Sequence, residues 1–189
     1  MTNLTETAKT KGRLAWVAHV PTWGSFIVVL IGGAIGLFEY FEYKSEQRIL
    51  RSMDFVKELQ SEQIVDDLVS LDKAIMKSWP KMRLQLIGVE DDKAQEFFSQ
   101  SMAAFVVDAG IEGSALRTAV LMDSFAVCMD RGLCDCETGI AFFGATVAHT
   151  WPMIGPYVDA VSQRGREVGF GRSFEKLSQS LNSGADPCV

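Results

Sequence analysis

The hydrophobic pattern of the chain changes character once, near residue 43. Between Arg13 and Glu39 there is no acidic or strongly basic side chain, only His19. The core of that interval is Phe26-Ile-Val-Val-Leu-Ile-Gly-Gly-Ala-Ile-Gly-Leu-Phe38, entered through Pro21-Thr22-Trp23-Gly24-Ser25 and left through Glu39-Tyr40-Phe41-Glu42-Tyr43. About 20 mostly apolar residues suffice to cross a bilayer as a helix, so residues 21–43 are expected to form a transmembrane helix. Proline tolerates the first helical turn. Trp16 and Trp23 fall at one end and Tyr40 and Tyr43 at the other, as headgroup-level aromatic belts do. A cleaved signal peptide would have a shorter apolar core and a small-residue cleavage site; Glu39-Tyr40-Phe41 is a poor one.

Beyond the span the spacing changes to three and four. Leu50, Met53, Val56 and Leu59 recur among charges, so the helix is expected to continue as a stalk over 44–60. Ser61 is placed to cap a helix with Ile64, Leu68, Leu71 and Ile75 on one face and Asp66, Asp67 and Asp72 on the other, ending at Trp79-Pro80. Met82 to Ile87 reads as a short helix closing at Gly88. Next comes a helix opened by Glu90-Asp91-Asp92, with Phe98, Met102, Phe105 and Ala109 on its face and Gly110 as its stop. Ser114 is expected to cap another, with Leu116, Val120, Leu121, Phe125 and Cys128 inward, ending at Gly132. Asp135 should cap a third, carrying Ile140, Phe143, Val147 and Trp151 as far as Pro152. A fourth spans Ile154 to Arg164 with Tyr157, Val158 and Val161. Gly165, Gly169 and Gly171 mark a loop, Ser173 to Leu181 a last helix, and 183–189 a tail. No convincing strand and no internal repeat interrupts this. The expected fold is all-α: a polar N-terminal tail (1–20), the span, the stalk, and a helical-bundle domain over 61–182 with short connections.

Charge refines the picture. Residues 1–38 carry Lys9, Lys11 and Arg13 against Glu6; the remainder holds 15 basic and 23 acidic residues, a net charge of −8. An acidic domain lacks the clustered cations that nucleic-acid binding needs. It suits a soluble domain held near a membrane without adhering to anionic headgroups. Lys and Arg are balanced across the two flanks of the span, so the positive-inside rule does not orient it. Glu39, Glu42 and Glu46 dilute the C-terminal flank and favour an inward N-terminus.

All four cysteines, Cys128, Cys134, Cys136 and Cys188, lie beyond the span, an even number that suits disulfides in an oxidising compartment. Cys128 can bridge to Cys134 across the Arg131-Gly132-Leu133 turn, leaving Cys136 for Cys188. Four cysteines allow three pairings, however, and spacing does not choose among them. Free thiols are one alternative. Zinc held by Cys128, Cys134, Cys136 and His149 is another, although Cys-x-Cys is not the usual knuckle spacing.

Other candidates for chemistry are sparse. His149 has no nucleophile turn to serve, and core or interfacial packing is its simpler role. The acidic runs Asp66-Asp67 and Glu90-Asp91-Asp92 read as solvated charge. Gly169-Phe170-Gly171 lacks the lysine and preceding strand of a phosphate loop. No cofactor and no metal is implied. Within the span, Gly32 and Gly36, with Gly33 beside them, form a small-residue face on which another helix can pack closely.

The set Phe125, Cys128, Gly132, Cys134 and Asp135, followed by Phe142-Phe143, Trp151, Pro156-Tyr157, Arg164 and Phe174-Glu175-x-Leu177, resembles an uncharacterised bacterial group of small single-pass membrane proteins. Anchor, stalk and helical domain follow in similar order there. That resemblance implies a bacterial inner-membrane location and carries no activity. The expected function is a non-catalytic accessory subunit that docks on a larger membrane protein complex, its domain periplasmic rather than cytoplasmic. The alternatives are a membrane-anchored regulatory or ligand-binding module, and a thiol-redox or metal-binding domain. Self-association through the Gly32/Gly36 face is compatible with the first.

Overall fold

The computed structural model describes residues 20–87, 91–164 and 169–188. Trp16, His19 and Gly165 lie outside them, as does most of the polar N-terminal tail. Every regular element among the described residues is helical: α1 (Val20–Leu59), α2 (Glu62–Leu86), α3 (Asp91–Asp108), α4 (Glu112–Asp130), α5 (Cys136–Arg164) and α6 (Arg172–Ser183). The all-α expectation holds. The chain divides into two compact units, 1–46 and 47–189.

In the first unit, α1 presents Phe26 to Tyr43 outward all round, with Val28, Val29, Phe38 and Phe41 each more than 60% exposed. A helix that is apolar on every side has no amphipathic face to direct against a domain core. By length and composition it is able to cross a membrane. Its continuation past residue 43 is unbroken.

The second unit begins within α1. Residues 44–60 were expected as a stalk, but from Gln47 they belong to this unit, and Ser52 and Val56 are buried in it. Phe55 sits edge-on to Phe125 of α4 at 5.6 Å, and Phe125 stacks on Phe143 of α5 at 4.1 Å. Around this aromatic column lie Leu71, Val106, Met122, Val147, Ile154, Val158 and Phe174. Each such side chain contributes about 2 kcal/mol on full burial. A smaller cluster of Ile75, Met82 and Met102 joins the outer parts of α2 and α3.

Two expected helix ends are absent. Pro80 lies inside α2, and Pro152 and Pro156 lie inside α5. A proline in a helix frees the carbonyl four residues earlier. For Pro80 that is Met76, a residue exposed to water. For Pro152 it is Ala148, whose oxygen accepts from Asn182 Nδ2 of α6 at 3.3 Å. The helices expected on either side of Pro152 are therefore one helix of 29 residues.

Caps divide similarly. Ser61 accepts from the Ile64 N–H, and Asp135 Oδ1 accepts from the Thr138 N–H at 2.9 Å, both as expected. Ser114 is no cap: α4 starts at Glu112, and the Ser114 hydroxyl turns to Asp67. Val120, expected inward, is half exposed. The α6 N-terminus begins at Gly171 (φ +83°), which has no side chain to cap with; Asp123 of α4 accepts the Phe174 N–H instead, at 3.0 Å.

Candidate functional site

The four cysteines meet at one corner of the helical domain, where the end of α4, the start of α5 and the C-terminal segment converge. Gly132 turns the chain there through a left-handed conformation (φ +61°), and the Cys134 N–H returns to the Cys128 carbonyl at 3.2 Å. Cys128 and Cys134 are joined across this turn, with Cα atoms 5.3 Å apart. Cys136 is joined to Cys188, with Cα atoms 5.6 Å apart. Of the three pairings that spacing allowed, the fold selects this one. Each sulfur is taken up in a bridge, so no thiolate remains for zinc or for redox attack without prior reduction. Among the described residues no three His, Cys, Asp or Glu side chains group as a metal site.

Asp135, the residue between the two bridges, is fastened by Ser52 of α1. The Ser52 hydroxyl accepts the Asp135 N–H at 2.9 Å and lies 3.1 Å from both the Asp135 and Arg48 carbonyl oxygens. The bonds from Thr138 hold the Asp135 carboxyl below its ordinary range, and the Arg48 charge adds to this. The corner thus ties α1, α4, α5 and the C-terminus with two covalent bonds and a buried hydroxyl.

A second polar cluster lies where solvated charge was expected. Asp67 is buried: Arg117 Nε donates to its Oδ2 at 2.7 Å, Nη2 donates to Oδ1 at 2.6 Å, and the Ser114 hydroxyl donates to Oδ1 at 2.7 Å. This two-pronged guanidinium contact is the dominant cause of a lowered Asp67 carboxyl, opposed by burial. Asp67 follows Ile64 by three residues and precedes Leu71 by four, so it shares their buried face. That position in the periodicity is the signal for its burial; the residue type alone pointed the other way.

His149 is exposed beside an apolar cleft of about 400 Å³ formed with Leu68, Leu71, Thr146 and Met153. It joins no cysteine. A larger groove, of about 630 Å³, is formed by α3, α5 and α6 and is lined by Phe98, Trp151, Asp159, Glu175 and Gln179 among others. Burial raises the Asp159 carboxyl above its ordinary range, and the Glu175 charge reinforces that.

In the apolar helix, Gly32, Gly33 and Gly36 have open space where a Cβ would stand. Tyr40 and Tyr43 are exposed, with the Tyr40 ring edge-on to Phe41 at 5.9 Å. Trp23 lies on the helix backbone, but its side chain is outside the described positions.

No family model, no curated protein and no solved structure matches this chain.

Proposed function

We propose that the protein is a single-pass membrane protein that acts as an accessory subunit, docking the Gly32/Gly33/Gly36 face of α1 against a helix of a larger membrane protein complex. The observation that carries this reading is the open ground over those three glycines on an apolar helix exposed all round. In lipid, such a helix gains nothing from further burial of apolar surface. Close packing over small residues is what draws it to a partner. The helical domain stands on the oxidising, periplasmic side of a bacterial inner membrane. Two disulfides stapling one corner support that side, since such bonds persist where thiols are not kept reduced.

The test is gentle detergent extraction of the full chain from its native membranes, followed by sizing and identification of copurifying proteins. A defined complex is expected for the natural chain. Gly32→Leu/Gly36→Leu should release the protein from that complex while leaving its helical domain folded. Migration of the natural chain as a lone monomer would refute the reading. A homodimer dissolved by the same double substitution would relocate the contact to a second copy.

A further inference from the structure

One arm of this acidic protein has the opposite charge. From Lys73 to Val89 the sequence holds Lys73, Lys77, Lys81 and Arg83 and no acidic residue. Its Lys73–Ile87 part forms the second half of α2 and the turn at Ile87. Ile75 and Met82 face inward there, packed with Met102 of α3. Outward lie Met76 (66% exposed), Trp79 (44%), Leu84 (68%) and Ile87 (72%). Leu84 falls within the row of cations and Met76 beside it, whereas Trp79, two residues from both Lys77 and Lys81, lies on the other side of the helix. Exposed apolar side chains among charges mark a surface that meets a partner.

The cations are ordered as well as numerous. Lys73, Lys77 and Lys81 follow one another at four-residue intervals, so they rise along one side of α2 about 6 Å apart. They line an open groove of about 760 Å³ between α2 and α3, with Ser78 and Ser101 on its walls, Met82 and Phe105 among its apolar residues, and Asp108 as the acidic member of the lining. Rows of ammonium groups beside hydroxyls match the charge and acceptor oxygens of phosphate esters. Cations interleaved with exposed aliphatic side chains on one helix face are the pattern of helices that lie in the headgroup layer of a bilayer.

We propose that the Lys73–Ile87 arm of α2 is a contact for an anionic phospholipid surface. Lys73, Lys77 and Lys81 meet the headgroup phosphates, and Met76, Leu84 and Ile87 enter the interfacial layer. This rests on the reading of α1 as a bilayer-crossing helix, because a chain anchored in lipid holds its domain at high effective lipid concentration. It also changes the meaning of the net charge. The domain as a whole is repelled by anionic headgroups, so attraction confined to one arm selects which side of the domain turns to the membrane.

The experiment uses the full chain in nanodiscs of phosphatidylcholine, with or without about 30% phosphatidylglycerol, whose acyl chains are brominated near the headgroup to quench nearby tryptophan. The Leu84→Trp signal is the difference in emission between Trp79→Phe/Leu84→Trp and Trp79→Phe. It should fall at least about two-fold in anionic discs and stay constant in neutral ones. The combined substitution Lys73→Gln/Lys77→Gln/Lys81→Gln should restore it without altering thermal unfolding. An unquenched Leu84→Trp signal in anionic discs, or equal quenching in both lipids, overturns the proposal. Shielding at Leu84→Trp only in native membranes, by a protein with an acidic helix, overturns it too. The emission left in Trp79→Phe includes Trp23 of α1; its quenching in both lipids separates failure of this proposal from failure of the anchor reading.

Discussion

Ser52 holds both backbone groups of Asp135. Its hydroxyl accepts the Asp135 N–H at 2.9 Å and shares its own proton between the Asp135 and Arg48 carbonyls, each 3.1 Å away. The Ser52 side chain is wholly buried, so no water can replace it if the oxygen is removed. This is the only side-chain hydroxyl that joins α1 to the disulfide corner among the described hydrogen bonds.

Ser52→Ala should cost about 1 kcal/mol, the net worth of the bonds its hydroxyl makes, because the Asp135 N–H keeps the Arg48 carbonyl at 3.3 Å and the Asp135 carbonyl keeps the Gly139 N–H at 3.0 Å. Denaturant unfolding of the detergent-solubilised chain measures it, followed by tertiary circular dichroism. A loss within about 0.5 kcal/mol, the range of an ordinary surface substitution, would mean that the corner relaxes and regains its bonds elsewhere.

The two disulfides should differ in what they contribute. Cys128–Cys134 closes a sequence separation of 6, and Cys136–Cys188 one of 52. Loop-closure entropy then gives about 2 kcal/mol for the first and about 4 kcal/mol for the second. Replacing each pair by alanines should lower the unfolding midpoint in that order. Alkylation with peptide mapping supplies the companion check: in material taken from native membranes, all four cysteines should resist modification until a reductant is added. Ready alkylation without reductant would contradict both the pairing and the compartment.

Acid should destabilise the domain through Asp67 and Asp135. Both carboxyls titrate below their ordinary value in the folded chain, Asp67 chiefly through Arg117 and Asp135 chiefly through Thr138. A depressed folded pKa gives stability that is present above the unfolded value, about 3.9, and is lost as pH falls through the folded one. The unfolding free energy should thus be level toward neutrality from these two groups and decline below about pH 4. Asp67→Ala should cost about 2 kcal/mol at pH 7 and flatten the acid limb. Asp159 acts with the opposite sign, since burial and Glu175 raise its carboxyl. Its contribution is fully present below the unfolded pKa and is lost as pH rises through the folded one, so Asp159→Asn should stabilise the domain at neutral pH.

What could be read from the chain, and what could not, follows from where the stabilising partner sits in sequence. The Phe26–Phe38 run and the caps at Ser61 and Asp135 are local, and each stands where periodicity places it. Pro80 and Pro152 resemble helix ends because a missing N–H is also local. What lets α5 continue through Pro152 includes Asn182, 34 residues beyond Ala148. Asp67 resembles its exposed neighbour Asp66 until Arg117 and Ser114, about 50 residues later, are brought against it. Ser52 is one polar residue of a helix until Asp135, 83 residues away, arrives. The cysteines fall between these cases: their even number was legible, while their pairing needed the turn at Gly132 and the return of the C-terminus.

Glycine substitutions should separate the two units by their opposite responses. A Cβ on Gly139 would stand 2.5 Å from Phe125 Cζ and 3.0 Å from Met129 Sδ. Phe125 cannot retreat, because it is fully buried between Phe55 and Phe143. Gly139→Ala should therefore cost about 2 kcal/mol of overpacking strain, against less than about 1 kcal/mol recovered from helix propensity. At Gly36 a Cβ meets nothing within 4 Å, so Gly36→Ala should leave the isolated protein as stable as before or slightly more so. In native membranes the same change should weaken recovery of the partner complex, since the added methyl stands on the face where close approach is required. Thermal unfolding in detergent and copurification, measured on both variants, make the contrast explicit. A Gly36→Ala protein that copurifies unchanged would remove the glycine face from the docking contact, and a Gly139→Ala protein of full stability would show that the Phe55–Phe125–Phe143 column is looser than its distances imply.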